Sequence, residues 1–347
     1  MRAFVFLTLT VIFGTFPSFS QDVEGKTTSS PAATINMIKV SDSIYMFKGK
    51  GGNIGVCKGE DGVLMIDNQF APVTPEILRL VASLSDKPVQ FLVNTHHHGD
   101  HTGGNANMME TGTVIFAHDN VRKRLVLGAQ KKYVKAQEEE FNKMVEELAA
   151  DGNEEKAEAK AKEGIQSKGD FDASQFSFPG ITFSDDMTFY YNGEKIMVFH
   201  VHDAHTDGDA LVYFTQSNVL HTGDTFFNGR YPYIDINSGG TYDGYVDSLN
   251  QVLSLIDDET RIIPGHGELA SKADVKASRD MMVAVRDRVA YHYVSGLSKE
   301  QVLANKEVTQ EYDAKGYGSG YISTEKFIGL VYDITKAKIG KVESKKK

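Results

Sequence analysis

The sequence predicts a mixed α/β protein, and three observations predict it. Short runs of β-branched and apolar residues recur along the chain, each bounded by glycine-containing turns. Longer stretches with apolar residues at helical spacing lie between and after them. Four groups of histidine and aspartate each follow directly on an apolar strand, so they can gather at one edge of a sheet system.

The composition agrees with a folded protein. Of 347 residues, 41% are hydrophobic and 24% charged. That length suits two domains or one large domain with an appendage. Lys plus Arg number 37 against 47 Asp plus Glu, a net charge of −10. Nucleic acid is disfavoured as a partner, because phosphate binding needs a basic footprint. The expected partner is a small-molecule substrate. Glycine, at 32 residues, predicts many tight turns and close backbone approaches. Cys57 is the single cysteine, so an intrachain disulfide and a cysteine-rich zinc site are both excluded. It reads as a small apolar strand residue rather than a nucleophile.

Taken in order, the first twenty residues have the pattern of a secretory signal peptide. Met1-Arg2 starts positive, Ala3–Phe13 is an apolar and threonine run, and Pro17 breaks it. Ser18 and Ser20 stand at the −3 and −1 positions before Gln21. The run is too short to span a bilayer, which takes about 20 apolar residues. No cysteine follows it for lipid attachment, and no later stretch is apolar enough to span. Export is expected, to the periplasm of a Gram-negative cell or to the outside. Residues 21–33 read as a flexible lead-in.

Ile35–Val40, Ser43–Phe47, Asn53–Lys58 and Val63–Ile66 read as strands joined by hairpins. Thr74-Pro75-Glu76 resembles an N-cap, a first-turn proline and an acidic first turn, opening a helix to Leu84. Val89–Asn94 and Val114–Ala117 are strands. Tyr133, Val134, Phe141, Met144, Val145 and Leu148 form an apolar stripe on a helix running to Ala150, and Asp151-Gly152-Asn153 stops it. Glu154–Glu163 is almost entirely Ala, Glu and Lys, a solvated helix or mobile segment. Residues 119–165 are therefore read as a helical insertion. Packing of its stripe against the body is the favoured reading; a lid or a dimer arm are the others. The oligomeric state is left open.

Strands resume at Ile181–Phe183. Asn192-Gly193 joins Met187–Tyr191 to Glu194–Val201 as a two-residue hairpin. Ala210–Phe214, Val219–His221 and Arg261–Ile263 are further strands. Tyr242–Ile256, Lys272–Val294, a short helix opened by Ser298 and Glu325–Lys338 are helices. The predicted organisation is a domain over residues 34–295 with a helical extension over 296–347.

The chemistry sits in four groups: His96-His97-His98-Gly99-Asp100-His101, Ala204-His205-Thr206-Asp207-Gly208-Asp209, His221-Thr222-Gly223-Asp224 and Pro264-Gly265-His266-Gly267. In an extended segment His96 and His98 point to the same side, so two imidazoles can grip one metal. Asp100 and His101 follow on the turn and point elsewhere, towards a second. Imidazole and carboxylate donors suit zinc, with iron and manganese as alternatives.

Together and in this order, the groups resemble the metal motifs of the metallo-β-lactamase-fold hydrolase superfamily. His96–His101 is similar to its His-x-His-x-Asp-His motif, and His205-Thr206, Gly223-Asp224 and Gly265-His266 match its later motifs. The resemblance covers about residues 35–295. It implies a four-layer αβ/βα sandwich with the site at one edge of the two sheets. It also implies that His96, His98 and His205 hold one Zn2+, that Asp100, His101 and His266 hold a second, and that Asp224 bridges both. Asp67 resembles the aspartate that orients a ligand histidine, a turn or cap role being the alternative, and Thr206 can orient by its hydroxyl.

The remaining residues are read singly. His97 points away from the site, and His118, His200 and His292 are structural. His202 and His221 lie near the site in sequence. Asn228, Arg230, Tyr231 and Tyr233 follow Asp224 and can floor a substrate pocket, with Arg230 for a substrate carboxylate. Phe70 and Pro72 can form an apolar wall. The implied reaction uses a hydroxide shared by the two metals to cleave an amide, lactone, ester or thioester, with Asp100 and Asp224 as the catalytic carboxylates. Asp224 stands where many β-lactamases of this fold carry cysteine or serine, which weakens that substrate and favours a lactonase or a glyoxalase-II-like thioesterase. Export argues against glutathione thioesters and suits an external β-lactam. A metal-bearing binding or structural protein without turnover is the remaining class.

Overall fold

The computed structural model describes residues 34–163 and 171–344. The signal-peptide and lead-in expectations, and the last two residues of the predicted insertion, lie outside these. The chain begins with β1 (Asn36–Lys39), β2 (Ile44–Lys48), β3 (Ile54–Lys58) and β4 (Val63–Ile66), all paired antiparallel in order. Helix α1 (Thr74–Leu84) carries the chain across to β5 (Val89–Asn94), which lies parallel to β4. Two short helices, α2 (Gly99–Thr102) and α3 (Asn105–Glu110), lead to β6 (Val114–His118), again parallel. Helices α4 (Asp119–Ala150) and α5 (Glu154–Glu163) precede β7 (Ile181–Phe183), the last strand of a seven-stranded sheet ordered β1 to β7.

The second sheet has five strands. They are β8 (Asp186–Tyr191), β9 (Glu194–His200), β10 (Ala210–Phe214), β11 (Val219–His221) and, after α6 (Tyr242–Leu255), β12 (Arg261–Ile263), in spatial order β12-β11-β10-β9-β8. The chain ends with α7 (Lys272–Val294), α8 (Lys299–Ala304), α9 (Gln310–Asp313) and α10 (Thr324–Ser344).

Period-two alternation of the strands builds four layers. In β4, Val63 and Met65 face Ile77, Leu80 and Val81 of α1, while Leu64 and Ile66 face the other sheet. That inner layer joins Ile44, Met46, Cys57 and Val93 to Ile196, Val198, Val212 and Phe214. On the far side, Leu211, Leu220 and Ile262 pack against Tyr245, Leu249, Met281, Met282, Phe327 and Val331 of α6, α7 and α10. The order is helix, sheet, sheet, helix, as expected. The predicted C-terminal extension is part of this body, because α10 completes the outer helical layer.

Two expectations change. Thr74 is the first helical residue of α1 and not its cap: Val73 holds that place, and the buried Thr74 hydroxyl has no hydrogen-bond partner. The apolar stripe of the insertion is only partly covered: the Tyr133 ring meets Phe171 with centroids 5.9 Å apart, while the stripe is open at Val134 and Met144. Helix α4 begins at Asp119 rather than near Tyr133, and Val121 is its buried residue among the described ones. Leu127, Val134 and Met144 are exposed. Helix α5 packs against α4, and the insertion is tied to the body at its root by Arg124, which donates two hydrogen bonds to Asp207 at 2.5 and 2.6 Å. The other expected strands and helices are present within a few residues, except that α10 runs on to Ser344 and that α2, α3 and α9 are additional. Asn192 and Gly193 take φ of 57° and 75°, the two left-handed positions of the predicted hairpin turn. Among the described residues no helix is long and apolar enough to cross a membrane.

Cys57 lies fully buried in β3, and burial pushes its thiol up to about 12. The native protein is therefore expected to resist a chromogenic disulfide reagent at neutral pH, since the thiolate is the reactive form. Full reaction should appear only on unfolding; stoichiometric labelling of the native chain would contradict this placement.

Candidate metal centre

The site is made where strand ends meet. β4 ends at Ile66 and delivers Asp67; β5 ends at Asn94 and delivers Thr95 to His101; β11 leads to Asp224; β12 leads to His266. The loop entering β10 carries His205. The Ala210 N–H donates to the Thr95 carbonyl at 2.9 Å, which ties this loop to the first sheet. Asn53 fastens the His266 loop: its side chain donates to the carbonyls of Pro264 and Gly267 at 2.8 and 3.1 Å.

Two groups of donors meet at Asp224, and a third among the described residues, His97, His98 and Asp235, shares His98 with the first of them. His96, His98, His205 and Asp224 form the first, and Asp100, His101 and His266 the second, with the donor atoms of each within 4.8 Å of one another. Asp224 serves both. Its Oδ2 lies 3.5 Å from His205 Nε2 and 3.7 Å from His96 Nε2, while its Oδ1 lies 3.0 Å from His101 Nε2 and 3.4 Å from His266 Nε2. Asp100 Oδ2 is 3.3 Å from His266 Nε2.

The far side of four of the five rings shows which nitrogen faces the centre. His101 Nδ1 is 2.7 Å from Asp67 Oδ2, His98 Nε2 is 3.0 Å from Asp235 Oδ2, and His205 Nδ1 is 2.8 Å from the Tyr233 carbonyl. His96 Nδ1 lies 3.1 Å from Thr95 Oγ1, which itself donates to Asp67. Each acceptor fixes an N–H on the outer nitrogen and leaves a lone pair pointing inward. His98 Nδ1 and His205 Nε2 then face each other at 2.9 Å. His96 Nε2, His101 Nε2 and Asp224 Oδ1 are buried without hydrogen-bond partners. Buried lone pairs aimed at one another are costly unless a cation lies between them. The residues present therefore fit divalent metal.

Electrostatics tell the same story from the protein alone. Burial opposes charge on His101, yet Asp224 and Asp67 outweigh it and hold its pKa well above the usual imidazole value. His266 is likewise raised, to about 9, against burial by Asp224 and Asp100. Burial instead pushes His205 down to about 4 and His96 well below its usual value. Burial works against the Asp224 carboxylate, but His101, His266 and His96 hold it ionised.

Two glycines make room. A Cβ on Gly52 would sit 2.1 Å from His101 Cε1, and one on Gly265 would sit 2.1 Å from Asp224 Oδ1. Only a residue without a side chain permits this approach. Asp67 itself has φ of 60°, a left-handed conformation that aspartate tolerates and that turns its carboxylate back onto Thr95 and His101.

All seven expected donors come together. Asp67 orients His101 as expected, but Thr206 does not orient His205. Its hydroxyl donates to Asp209 Oδ1 at 2.6 Å, and the Tyr233 carbonyl holds the ring instead. His97 lies beside the centre with its Nδ1 buried and unpartnered, and burial lowers it to about 3. His221 is a structural post, with Nε2 3.1 Å from the Asn53 carbonyl and Nδ1 accepting from the Gly223 N–H. His118 and His200 stack on each other at 3.8 Å, and the His202 ring meets His200 edge-on at 4.5 Å. His292 pairs with Asn305. Sequence reasoning missed Asp235 and Asn53, whose partners lie more than a hundred residues away in the chain. It also gave no role to Asp209, which accepts from both backbone N–H groups of His205 and Thr206 and is pushed up to about 8 by burial.

A pocket of about 600 Å³ opens onto the centre. His98, Asp100, Asp224 and His266 form its metal-facing part; Phe70, Phe227, Tyr233, Tyr321 and Ile322 are apolar lining; Lys50 and Arg230 are its cations. Arg230, Tyr231 and Tyr233 line it as expected, although the Tyr231 hydroxyl is engaged with Asp313. Asn228 and Pro72 are not in the lining. The Asn228 side chain donates instead to the Glu268 carbonyl, and Pro72 lies in a one-turn 3-10 helix before α1.

Comparison with known proteins agrees with this fold. A family model described as the metallo-beta-lactamase superfamily matches residues 48–266. A metallo-beta-lactamase from Pontibacter korlensis superposes with a TM-score of 0.52 at 16% identity, over 72% of this chain and 99% of its own. The stereoselective inverting sec-alkylsulfatase Pisa1 from Pseudomonas sp. superposes with a TM-score of 0.60 at 17% identity, over 86% of this chain and 50% of its own, so the chain spans half of that protein. The 2,4-dinitroanisole O-demethylase subunit alpha of Nocardioides sp. (strain JS1661) is 21% identical over 275 residues, 79% of this chain and 70% of that one.

Two substitutions test the centre. Asp67→Ala should lower metal affinity about 10–100-fold by releasing His101, read by competition with a chromogenic chelator. An unchanged affinity would contradict its role. Gly52→Ala should displace His101 and destabilise the fold by about 1–3 kcal/mol, read by denaturant unfolding. A variant as stable as the parent, with full metal content, would contradict the packing.

Proposed function

The chain belongs to the metallo-beta-lactamase superfamily, a family of metal-dependent hydrolases, and from that premise we propose that it is an exported dinuclear zinc hydrolase of small molecules. The observation that carries the reading is the division of Asp224, with one oxygen turned to each donor group. The signal-peptide pattern of the first twenty residues supports export to the periplasm or the outside. The absence of cysteine from both donor groups leaves an oxygen and nitrogen set that suits zinc, with iron or manganese as alternatives.

Two zinc ions bound there would supply Lewis acidity and a water acidified towards a pKa of about 7. The chain's own residues do the rest. Asp224 brings negative charge to the middle of a cluster of imidazoles. Asp100 is the more open of the two carboxylates, with 28% of its side chain exposed, and His266 helps keep it ionised. With its Oδ2 turned to His266, the other carboxylate oxygen of Asp100 can take a proton from the attacking water and return it to the leaving group. Phe70, Phe227 and Tyr233 exclude water from the apolar part of the substrate. Arg230 has no acidic partner among the described residues and is available for a substrate carboxylate, which its planar fork matches.

The substrate is an amide, lactone, ester or thioester that fits a pocket of about 600 Å³. A sulfate ester or aryl ether is the second reading, favoured by the names of the sulfatase and O-demethylase to which the chain is similar. The test is a panel: a chromogenic β-lactam, an aromatic lactone, a thioester, an alkyl sulfate and a nitroaryl methyl ether, each before and after chelation. Turnover of one of them, lost with chelator and restored by zinc, is expected. Asp224→Ala should cost ~1000-fold in rate, because it removes several kcal/mol of transition-state charge stabilisation. Turnover unaffected by chelator or by Asp224→Ala would contradict the proposal.

A further inference from the structure

Tyr321 and Ile322 line the pocket, yet they come from the segment between α9 and α10, well beyond the residues 48–266 that match the family. That segment is pinned to the loop after Asp224. The Tyr231 hydroxyl donates to Asp313 Oδ1 at 2.9 Å. Asp313 also accepts from the hydroxyls of Thr309 and Thr324, at 2.7 and 2.5 Å, so one carboxylate gathers both ends of the segment. The Tyr231 ring stacks on Phe327 with centroids 4.4 Å apart and planes at 13°. The Tyr231 N–H donates to the Tyr317 carbonyl at 3.4 Å. Burial, and then Asp313, raises the Tyr231 phenol far above its usual range, so it stays a donor.

This clamp presents Tyr321 to the pocket. Its ring meets Tyr233 edge-on at 5.8 Å, and Tyr233 in turn holds His205 through its carbonyl. Tyr321 remains 79% exposed, a large aromatic surface left open beside the metal-facing residues. Fixed aromatic faces with few rotatable bonds are efficient apolar recognition surfaces.

We propose that Tyr321 and Ile322, with Tyr233, form a fixed apolar subsite that sets specificity by taking an aryl or bulky alkyl group of the substrate. The inference rests on the reading of this pocket as a hydrolase's substrate site, and it narrows the substrate to one with such a group near the cleaved bond. The C-terminal segment is then a wall of the pocket and not an appendage.

The test is binding of 4-phenyl-1-butanol to the full chain by saturation-transfer difference NMR. The probe has no charge for Arg230 or Lys50 to attract. Tyr321 is exposed, so its replacement leaves the core intact. Tyr321→Ala should weaken binding about tenfold, and Tyr321→Phe should stay within about twofold, because the ring face and not the hydroxyl makes the contact. Equal binding by the parent and Tyr321→Ala would overturn the subsite, as would no binding by the parent or an equal loss in Tyr321→Phe. Turnover of the panel is measured separately. Predicted binding with no turnover of any substrate removes the hydrolase reading alone, whereas turnover with unaltered binding in Tyr321→Ala removes the subsite alone.

Discussion

Lone pairs that face one another in a buried space govern this structure. Five imidazoles and two carboxylates converge, and each of four rings has its outer nitrogen engaged by an acceptor, from a distant part of the chain for His98, His101 and His205 and from the adjoining Thr95 for His96. That leaves inward nitrogens such as His98 Nδ1 and His205 Nε2 only 2.9 Å apart. In the protein alone Asp224, with Asp67 beside His101 and Asp100 beside His266, works against burial to favour the charged form of those two rings. Divalent cations answer the facing lone pairs more fully, since they take lone pairs from every side at once. Much else follows from keeping the donors in place: the left-handed Asp67, the bare backbone of Gly52 and Gly265, and the Asn53 bonds that fasten the His266 loop.

The two sheets serve the same end. Parallel pairing of β4 with β5 and of β11 with β12 sends successive strand ends to one edge, where loops carry side chains without burying unpaired backbone. Neither sheet holds the full donor set. His96 to His101 come from the first, His205, Asp224 and His266 from the second, and the packed layer of Leu64, Ile66, Val198 and Val212 keeps the two in register. A void in that layer would loosen the donors as well as the core, because the strand ends and the core share residues in sequence.

Much of this was legible in the sequence, for local reasons. Val63–Ile66 and Val89–Asn94 are apolar runs cut off by turn residues, and the strands fall on those bounds. The seven donors are legible because their spacing within four short groups is itself the motif. What was not legible depends on distant partners. Asp235 reads as an ordinary turn residue until it is seen against His98, and Thr206 reads as a ring-orienting hydroxyl until Asp209 claims it. The stripe on α4 predicts a helix but cannot say what covers it, and its Val134 and Met144 are exposed. Tyr321 gave no signal, since nothing local marks a residue that a clamp nearly a hundred positions from Asp224 brings to the pocket.

The central claim is that this edge is a two-metal centre divided by Asp224. Crystals grown with zinc and measured on both sides of its absorption edge test it most directly. The account predicts two anomalous peaks per chain, one among His96, His98 and His205 and one among Asp100, His101 and His266, with Asp224 between them. A single peak, or zinc bound only elsewhere on the chain, would contradict it.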